Sequence, residues 1–387
     1  MYKILTKNKI SHVGLQHFAK SKYIYGDDVE NPDAMVVRSA SLHDAEFPPS
    51  IKGIARAGAG VNNIPIDRCS ESGIVVFNTP GANANAVKEL TMMALLMSAR
   101  KVAPALEWVG NLKGEDDVAA LVEKGKAQFS GPELKGKKLG VIGLGTIGML
   151  VANLALNFDM EVYGYDPYLN VDAAWNLDRS VKHAMSLDEI FANCDFITLH
   201  IPSTSETRGT INSESIKNMK RGVRIINFSR GDLVVAEDMI EALNNGEVRC
   251  YITDFPSNEF IGVAGAIQIP HLGASTPESE DNCASMAAKQ LVDFLENGNI
   301  KNAVNLPNVY MPRGSGENRL TIIHYNKPSM INQITGAISA TGINIENFTD
   351  KSRKDYAYTI IDTLDKIKEE TIEKLNALDG VIRVTAL

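Results

Sequence analysis

Cysteine is scarce in this chain: four in 387 residues, Cys69, Cys194, Cys250 and Cys283. They lie far apart and form no CxxC pair, which excludes a zinc ribbon and a disulfide framework and predicts reduced, part-buried thiols. Basic runs are missing too. With a net charge of −8 and a pI of 5.5, the chain has no electrostatic footprint for nucleic acid or an anionic membrane. Long apolar runs are also absent, since the stretches 91–97 and 261–269 are too short to cross a bilayer. The opening residues Met1-Tyr-Lys-Ile-Leu-Thr-Lys7 are too polar for a signal peptide. His200 and His271 have no Cys, His or carboxylate beside them at ligand spacing, so no metal site is expected. Together these absences predict a cytoplasmic protein that works on small molecules without a metal. An anionic ligand would need local arginines.

What is present begins with a glycine turn, Gly143-Leu-Gly145-Thr-Ile-Gly148. A lone GxGxxG means little, but here an apolar strand pattern over 138–142 precedes it and helical spacing over 147–158 follows. At such a turn Gly143 permits the bend, Gly145 lets backbone approach a pyrophosphate, and Gly148 lets helix and strand pack. The helix N-terminus then offers unpaired N–H groups to the anion. A second strand over 161–165 ends at Asp166, 166 − 145 = 21 residues after the middle glycine. An acid about 20 residues on accepts hydrogen bonds from the adenosine ribose and repels a 2′-phosphate, which predicts NAD over NADP.

Three polar residues follow, Arg230, Glu259 and His271, each beyond the C-terminal end of an expected sheet strand, where folds of this kind bind ligands. Arg230 has the planar fork that grips a carboxylate. His271 has an acid–base group near neutrality, and Glu259 is placed to bond its other ring nitrogen and fix the tautomer. That set suits the oxidation of a 2-hydroxy acid, whose carboxylate must be held while its hydroxyl proton is taken.

Alternating strands and helices predict an α/β chain of two doubly wound, Rossmann-like or flavodoxin-like domains flanking a cleft. The first domain is expected over residues 1–99 with 281–312, and the nucleotide-binding domain over 100–280. Strands at 35–37, 51–54 and 75–77 belong to the first, and helices over 88–103 and 279–297 pass between the two. Residues 307–318, rich in Pro and Gly, read as a linker. The tail over 318–387 then reads as βαββαβ, a ferredoxin-like layer with a charged hairpin at 350–355.

The glycine turn, Asn227-Phe-Ser-Arg-Gly231, the segment 254–259 and Pro270-His-Leu-Gly-Ala-Ser-Thr276 closely resemble the D-isomer-specific 2-hydroxyacid dehydrogenases. Val36-Val-Arg-Ser-Ala40, Ala55-Arg-Ala-Gly-Ala-Gly-Val-Asn-Asn63 and Asn78-Thr-Pro-Gly-Ala-Asn83 resemble the branch acting on 3-phosphoglycerate. The resemblance implies Arg230, Glu259 and His271 as catalytic residues. It implies NAD contacts from Thr79, Gly143, Gly145, Thr146, Ile147, Gly148, Asp166, Ile201, Phe228, Ser229, Asp254, Gly273 and Ala274. Arg38, Ser39, Arg56, Asn78, Gly81, Ala82 and Asn83 would face a phosphorylated 2-hydroxy acid. One arginine of some relatives is replaced by Ala40. The tail resembles an ACT domain, and His324-Tyr-Asn-Lys-Pro328 with Asn344 matches the pattern by which such tails hold L-serine, so His324, Asn326 and Asn344 are the implied effector residues. A homodimer or homotetramer is implied as well. Two other readings stay open: a reductase of another small 2-oxo acid such as glyoxylate, hydroxypyruvate or 2-oxoglutarate, and a dinucleotide-sensing scaffold without activity.

Overall fold

A computed structural model describes residues 1–169, 171–313 and 318–387. The chain divides into two compact units, residues 1–83 with 277–387 and residues 84–276.

The first unit opens with five parallel strands, β1 (Tyr2–Lys7), β2 (Tyr23–Gly26), β3 (Ala34–Val37), β4 (Gly53–Arg56) and β5 (Val75–Phe77). Their spatial order is β2-β1-β3-β4-β5, the flavodoxin-like winding. β3 and β5 are buried throughout, which is why they read as unbroken apolar runs. The helix Pro277–Asn297 begins on proline with Glu278 and Glu280 in its first turn, both favourable at a helix N-terminus. It buries Ala284, Ala287, Ala288, Leu291 and Leu295 in the same core as Ile4, Val36 and Phe77. Gly14 makes that approach possible, since a Cβ there would lie 2.4 Å from the Cβ of Ala284.

The second unit holds seven parallel strands, β6 (Lys138–Ile142), β7 (Glu161–Tyr165), β8 (Lys182–His183), β9 (Phe196–Leu199), β10 (Val223–Asn227), β11 (Val248–Thr253) and β12 (Ala266–Gln268). The order β12-β11-β10-β9-β6-β7-β8 reverses direction between β6 and β9, the switch point where doubly wound sheets bind ligands. The helix Ala84–Arg100 packs on Thr146–Leu156, β10 and β11, so residues 84–99 group with this unit and not with the first. The following helices, Val102–Gly110 and Val118–Gly125, bury no residue of their own.

The tail forms an antiparallel sheet of β13 (Asn318–Tyr325), β14 (Ile345–Arg353), β15 (Tyr356–Thr363) and β16 (Val381–Ala386), with helices Met330–Ser339 and Glu369–Asn376 between them. Its order, β14-β15-β13-β16, is that of a ferredoxin-like layer. The charged stretch expected as a hairpin is mostly strand. Asp350, Lys351 and Arg353 pair with Thr359, Tyr358 and Tyr356, and the chain turns at Lys354, where φ is 55°. An edge strand tolerates such charges because water solvates its outer face.

This sheet also packs into the first unit. Ile323, Tyr358 and Ile360 join the core of the helix Pro277–Asn297. Arg319, fully buried, makes a bidentate pair with Asp362 at 2.6 and 2.8 Å and donates to the carbonyls of Asn297, Met311 and Pro312. The segment read as a linker is therefore partly packed: Val309 pairs with Ile300 through two backbone bonds, and Met311 is buried. Residues 314–317 of that segment lie outside the described residues.

Candidate functional site

The glycine turn leaves β6 with Gly143 at φ 90°, where a Cβ would lie 2.6 Å from the carbonyl oxygen of His200. Gly148 is equally constrained, because a Cβ there would stand 1.9 Å from Gly143 O. Gly145 differs: nothing lies within 4 Å of the place its Cβ would take. It precedes the helix Thr146–Leu156, which has no side-chain cap, so Thr146 and Ile147 begin a helix whose first N–H groups face open space. A dinucleotide pyrophosphate fits such a cradle. Asp166 closes it from the end of β7, its two oxygens accepting the N–H groups of Leu144 and Tyr168, each at 2.8 Å.

Past the switch point the loop after β10 is braced from within. Asn227, fully buried, donates to Arg230 O at 2.8 Å and accepts from Ser229 N at 3.1 Å, while the Ser229 hydroxyl donates to Leu199 O at 2.6 Å. Phe228 is buried and Ile201, after β9, half-buried. Arg230 is exposed, with Nη1 donating to Ser229 O.

After β11 comes Asp254, 1% exposed, whose Oδ2 accepts Gly273 N–H at 3.3 Å and whose Oδ1 has no partner among the described residues. Burial pushes its carboxyl up, opposed by the charges of His271 and Arg230 and by the Gly273 N–H. His271 itself is exposed and tilts against Phe255, ring centres 4.9 Å apart. Ala274 is half-buried beside it in sequence.

Glu259 departs from expectation. It makes no hydrogen bond or ion pair with His271; its exposed carboxyl is held below the usual range by a hydrogen bond from Ser257. Phe260 explains this. It is buried against Tyr251, ring centres 5.2 Å apart, and that anchor turns the short segment Asn258–Phe260 so that Glu259 faces water. The carboxylate whose charge His271 and Arg230 both favour here is Asp254.

In the first unit Arg38 pairs with Glu280 at 2.7 Å, and Arg56 Nε donates to Arg38 O at 3.1 Å. Ser39 N–H is held by Asn8 Oδ1 at 2.9 Å. Asn78 donates to Ala59 O at 2.6 Å, and Gly81, at φ 79°, turns the loop toward Ala82. The Thr79 hydroxyl and the Asn83 side-chain oxygen are buried without a partner among the described residues. Such orphaned groups next to a turn are what a bound ligand would satisfy.

Residues 92–277 match the family model described as the NAD binding domain of D-isomer specific 2-hydroxyacid dehydrogenases. D-3-phosphoglycerate dehydrogenase of Methanocaldococcus jannaschii is 36% identical over 293 residues, covering 73% of this chain and 53% of that protein. The same-named protein of Bacillus subtilis is 32% identical over 325 residues, covering 79% and 59%. Its nucleotide-binding domain belongs to the D-isomer-specific 2-hydroxyacid dehydrogenases. The chain spans little more than half the length of those two relatives. Among solved dehydrogenases, the NAD⁺-bound 3-phosphoglycerate dehydrogenase of Entamoeba histolytica superposes with a TM-score of 0.60 at 27% identity, covering 79% of this chain and 98% of that one. D-mandelate dehydrogenase of Rhodotorula graminis superposes at 0.66 with 20% identity, over 81% of this chain and 99% of that one, which speaks for the fold alone.

The tail does not assemble the implied effector residues into one open site. His324 is 2% exposed, with Nδ1 at 2.9 Å from Tyr325 O and Nε2 at 3.1 Å from Asp350 and 3.0 Å from Thr359. Asn326 donates to Lys354 O at 3.0 Å, and Asn344 is exposed at the start of β14. The reason is register: His324 opposes Ala357 in a central strand, which turns its ring into the sheet's buried face. Burial near a carboxylate was not visible in the local motif. Asn227 and Asn8, which brace the two loops, were missed for the same reason, because their partners are backbone groups. Among the described residues no group of His, Cys, Asp or Glu could hold a metal ion, and no helix is long and apolar enough to cross a membrane. All four cysteines are buried and free; burial pushes Cys69 and Cys250 up to about 11 and Cys194 up to about 12.

Proposed function

We propose that this chain is a cytoplasmic dehydrogenase that oxidises 3-phosphoglycerate to 3-phosphohydroxypyruvate with NAD. The observation that supports the reading is the grouping of Arg230, Asp254 and His271 after β10, β11 and β12, on the strand ends that also carry the glycine turn. The cofactor, when bound, accepts the hydride from C2 of the hydroxy acid. His271 takes the C2 hydroxyl proton, and in the reverse direction returns it to the carbonyl oxygen. Arg230 holds the substrate carboxylate through paired N–H donors. Asp254 stabilises the imidazolium as it forms. Glu259, on the adjoining turn Asn258–Phe260, is the group assigned to fix the His271 tautomer. Arg38, released from Glu280, and Arg56 supply charge for the phosphate. Asp166 holds the adenosine ribose and disfavours NADP.

The chain acts as a homodimer or homotetramer in this reading, supported by the helices Val102–Gly110 and Val118–Gly125, which bury nothing and leave Leu106 69% exposed. L-serine is a candidate effector of the tail. The test is the rate of NADH oxidation with 3-phosphohydroxypyruvate beside hydroxypyruvate, glyoxylate and 2-oxoglutarate, repeated with L-serine. Strong preference for the phosphorylated acid is expected. Preference for an unphosphorylated acid moves the protein to another branch of the family, and a rate indifferent to serine removes the regulatory role.

A further inference from the structure

A cavity of about 620 Å³ opens in the first unit between the Gly81–Ala82 turn, one side of the helix Pro277–Asn297 and the segment 299–302. That volume suits a small metabolite. Gly81 and Ala82, which the family resemblance turns toward substrate, line one end of it, but neither Arg38 nor Arg56, the arginines assigned to the substrate phosphate, does. We propose that this cavity is a regulatory site for a small organic anion carrying a hydroxyl or ammonium group.

Charge supports the anion. Lys289 and Lys301 line the cavity, and neither forms an ion pair among the described residues. The one carboxylate of the lining, Asp293, is already engaged by the side-chain amides of Asn297 at 2.9 Å and Asn299 at 3.0 Å. Two free cations in a chain of net charge −8 make a local positive field that draws a negative ligand.

Gln290 supports the donor. It is 7% exposed and lines the cavity, and its Nε2 donates to Asn78 O at 3.2 Å. Its Oε1 is buried with no donor among the described residues. Buried acceptors are normally satisfied, and a small turn of this amide presents the oxygen to a hydroxyl or ammonium group entering the cavity.

The walls connect the cavity to two places at once. Asn302, held at φ 60°, accepts the N–H of Asn78 at 3.2 Å, where the loop to Asn83 begins. The next carbonyl, Ala303 O, accepts Arg353 of β14 at 2.9 Å, and Asn299 Oδ1 accepts Met311 N–H at 3.0 Å. A ligand that moves Gln290 or Asn302 therefore acts on the Asn78–Asn83 loop from one side and on the docked tail from the other. The regulatory part rests on the proposed function; the binding part does not.

Calorimetric titration of the full chain with glycerol 3-phosphate tests the site. Binding should weaken by roughly tenfold or more in the Lys289→Met/Lys301→Met double variant and persist in Arg56→Met. Both lysines are exposed, so the double variant should melt as the parent does. No binding to the parent at roughly 10 mM overturns the proposal. So does binding that survives the double variant and is lost in Arg56→Met, which places the anion at the substrate arginines. If the protein turns over an oxo acid, glycerol 3-phosphate should change its KM in the parent and not in the double variant. If it turns over none, the titration still decides the site.

Discussion

Asp254 stands where two opposing effects meet: burial disfavours its charge, and His271, Arg230 and the Gly273 N–H favour it, with burial the larger. Its folded pKa is raised, so between the ordinary carboxylate value and that raised value the folded state binds a proton that the unfolded state has lost. Stability contributed by this group is present at low pH and falls as pH rises through that window. Asp254→Asn removes the titration. Its melting temperature should exceed the parent's at neutral pH and converge on it as pH falls into the carboxylate range; a gap independent of pH would mean that burial does not govern this group. His271→Ala should lower turnover by ~10²-fold or more while NADH still binds by fluorescence. Near-parent turnover would place the acid–base group elsewhere. The sequence offers Arg230 and His271 as candidates because strand-end position and side-chain chemistry are both local. That Glu259 faces water was not legible there, because its direction depends on where Phe260 is buried.

At the scale of elements, β13 shows how a single buried charge can set a packing arrangement. Arg319 and Asp362 are 0% and 1% exposed at their side chains, and three backbone carbonyls complete the arginine's bonding. Removing one partner strands the other. Arg319→Ala should cost ~3–5 kcal/mol in denaturant unfolding, and Arg319→Met with Asp362→Leu should cost less, since no charge is stranded and only the three carbonyls lose their donor. Equal losses for the two would show that the pair itself, and not the stranded charge, carries the stability. β6 was readable because a strand buried on both faces is a continuous apolar run, whereas β8, two exposed residues, offers no such signal. β1, β2 and the charged end of β14 were not readable either. β1 alternates polar with apolar residues at a polar N-terminus, and β14 lies at a sheet edge where charges stay solvated.

For the whole molecule, the tail is continuous with the first unit's core and the second unit is complete without it. Deleting residues 314–387 should expose the Leu295, Ile300 and Met311 side of that core. Calorimetry should then show one transition falling sharply while the transition reporting NAD-stabilised residues 84–276 stays in place. A deletion that leaves both transitions unchanged would make the tail a tethered module. Periodicity, glycine spacing and strand-end position determined the two doubly wound units, the ferredoxin-like tail and the nucleotide turn from sequence alone, because each depends on residues within a few positions of one another. Only the tertiary structure decided that Arg319 is buried, that His324 is satisfied inside its sheet and that Asp254 is buried near the charges of His271 and Arg230, since each depends on partners brought together by packing of segments distant in the chain.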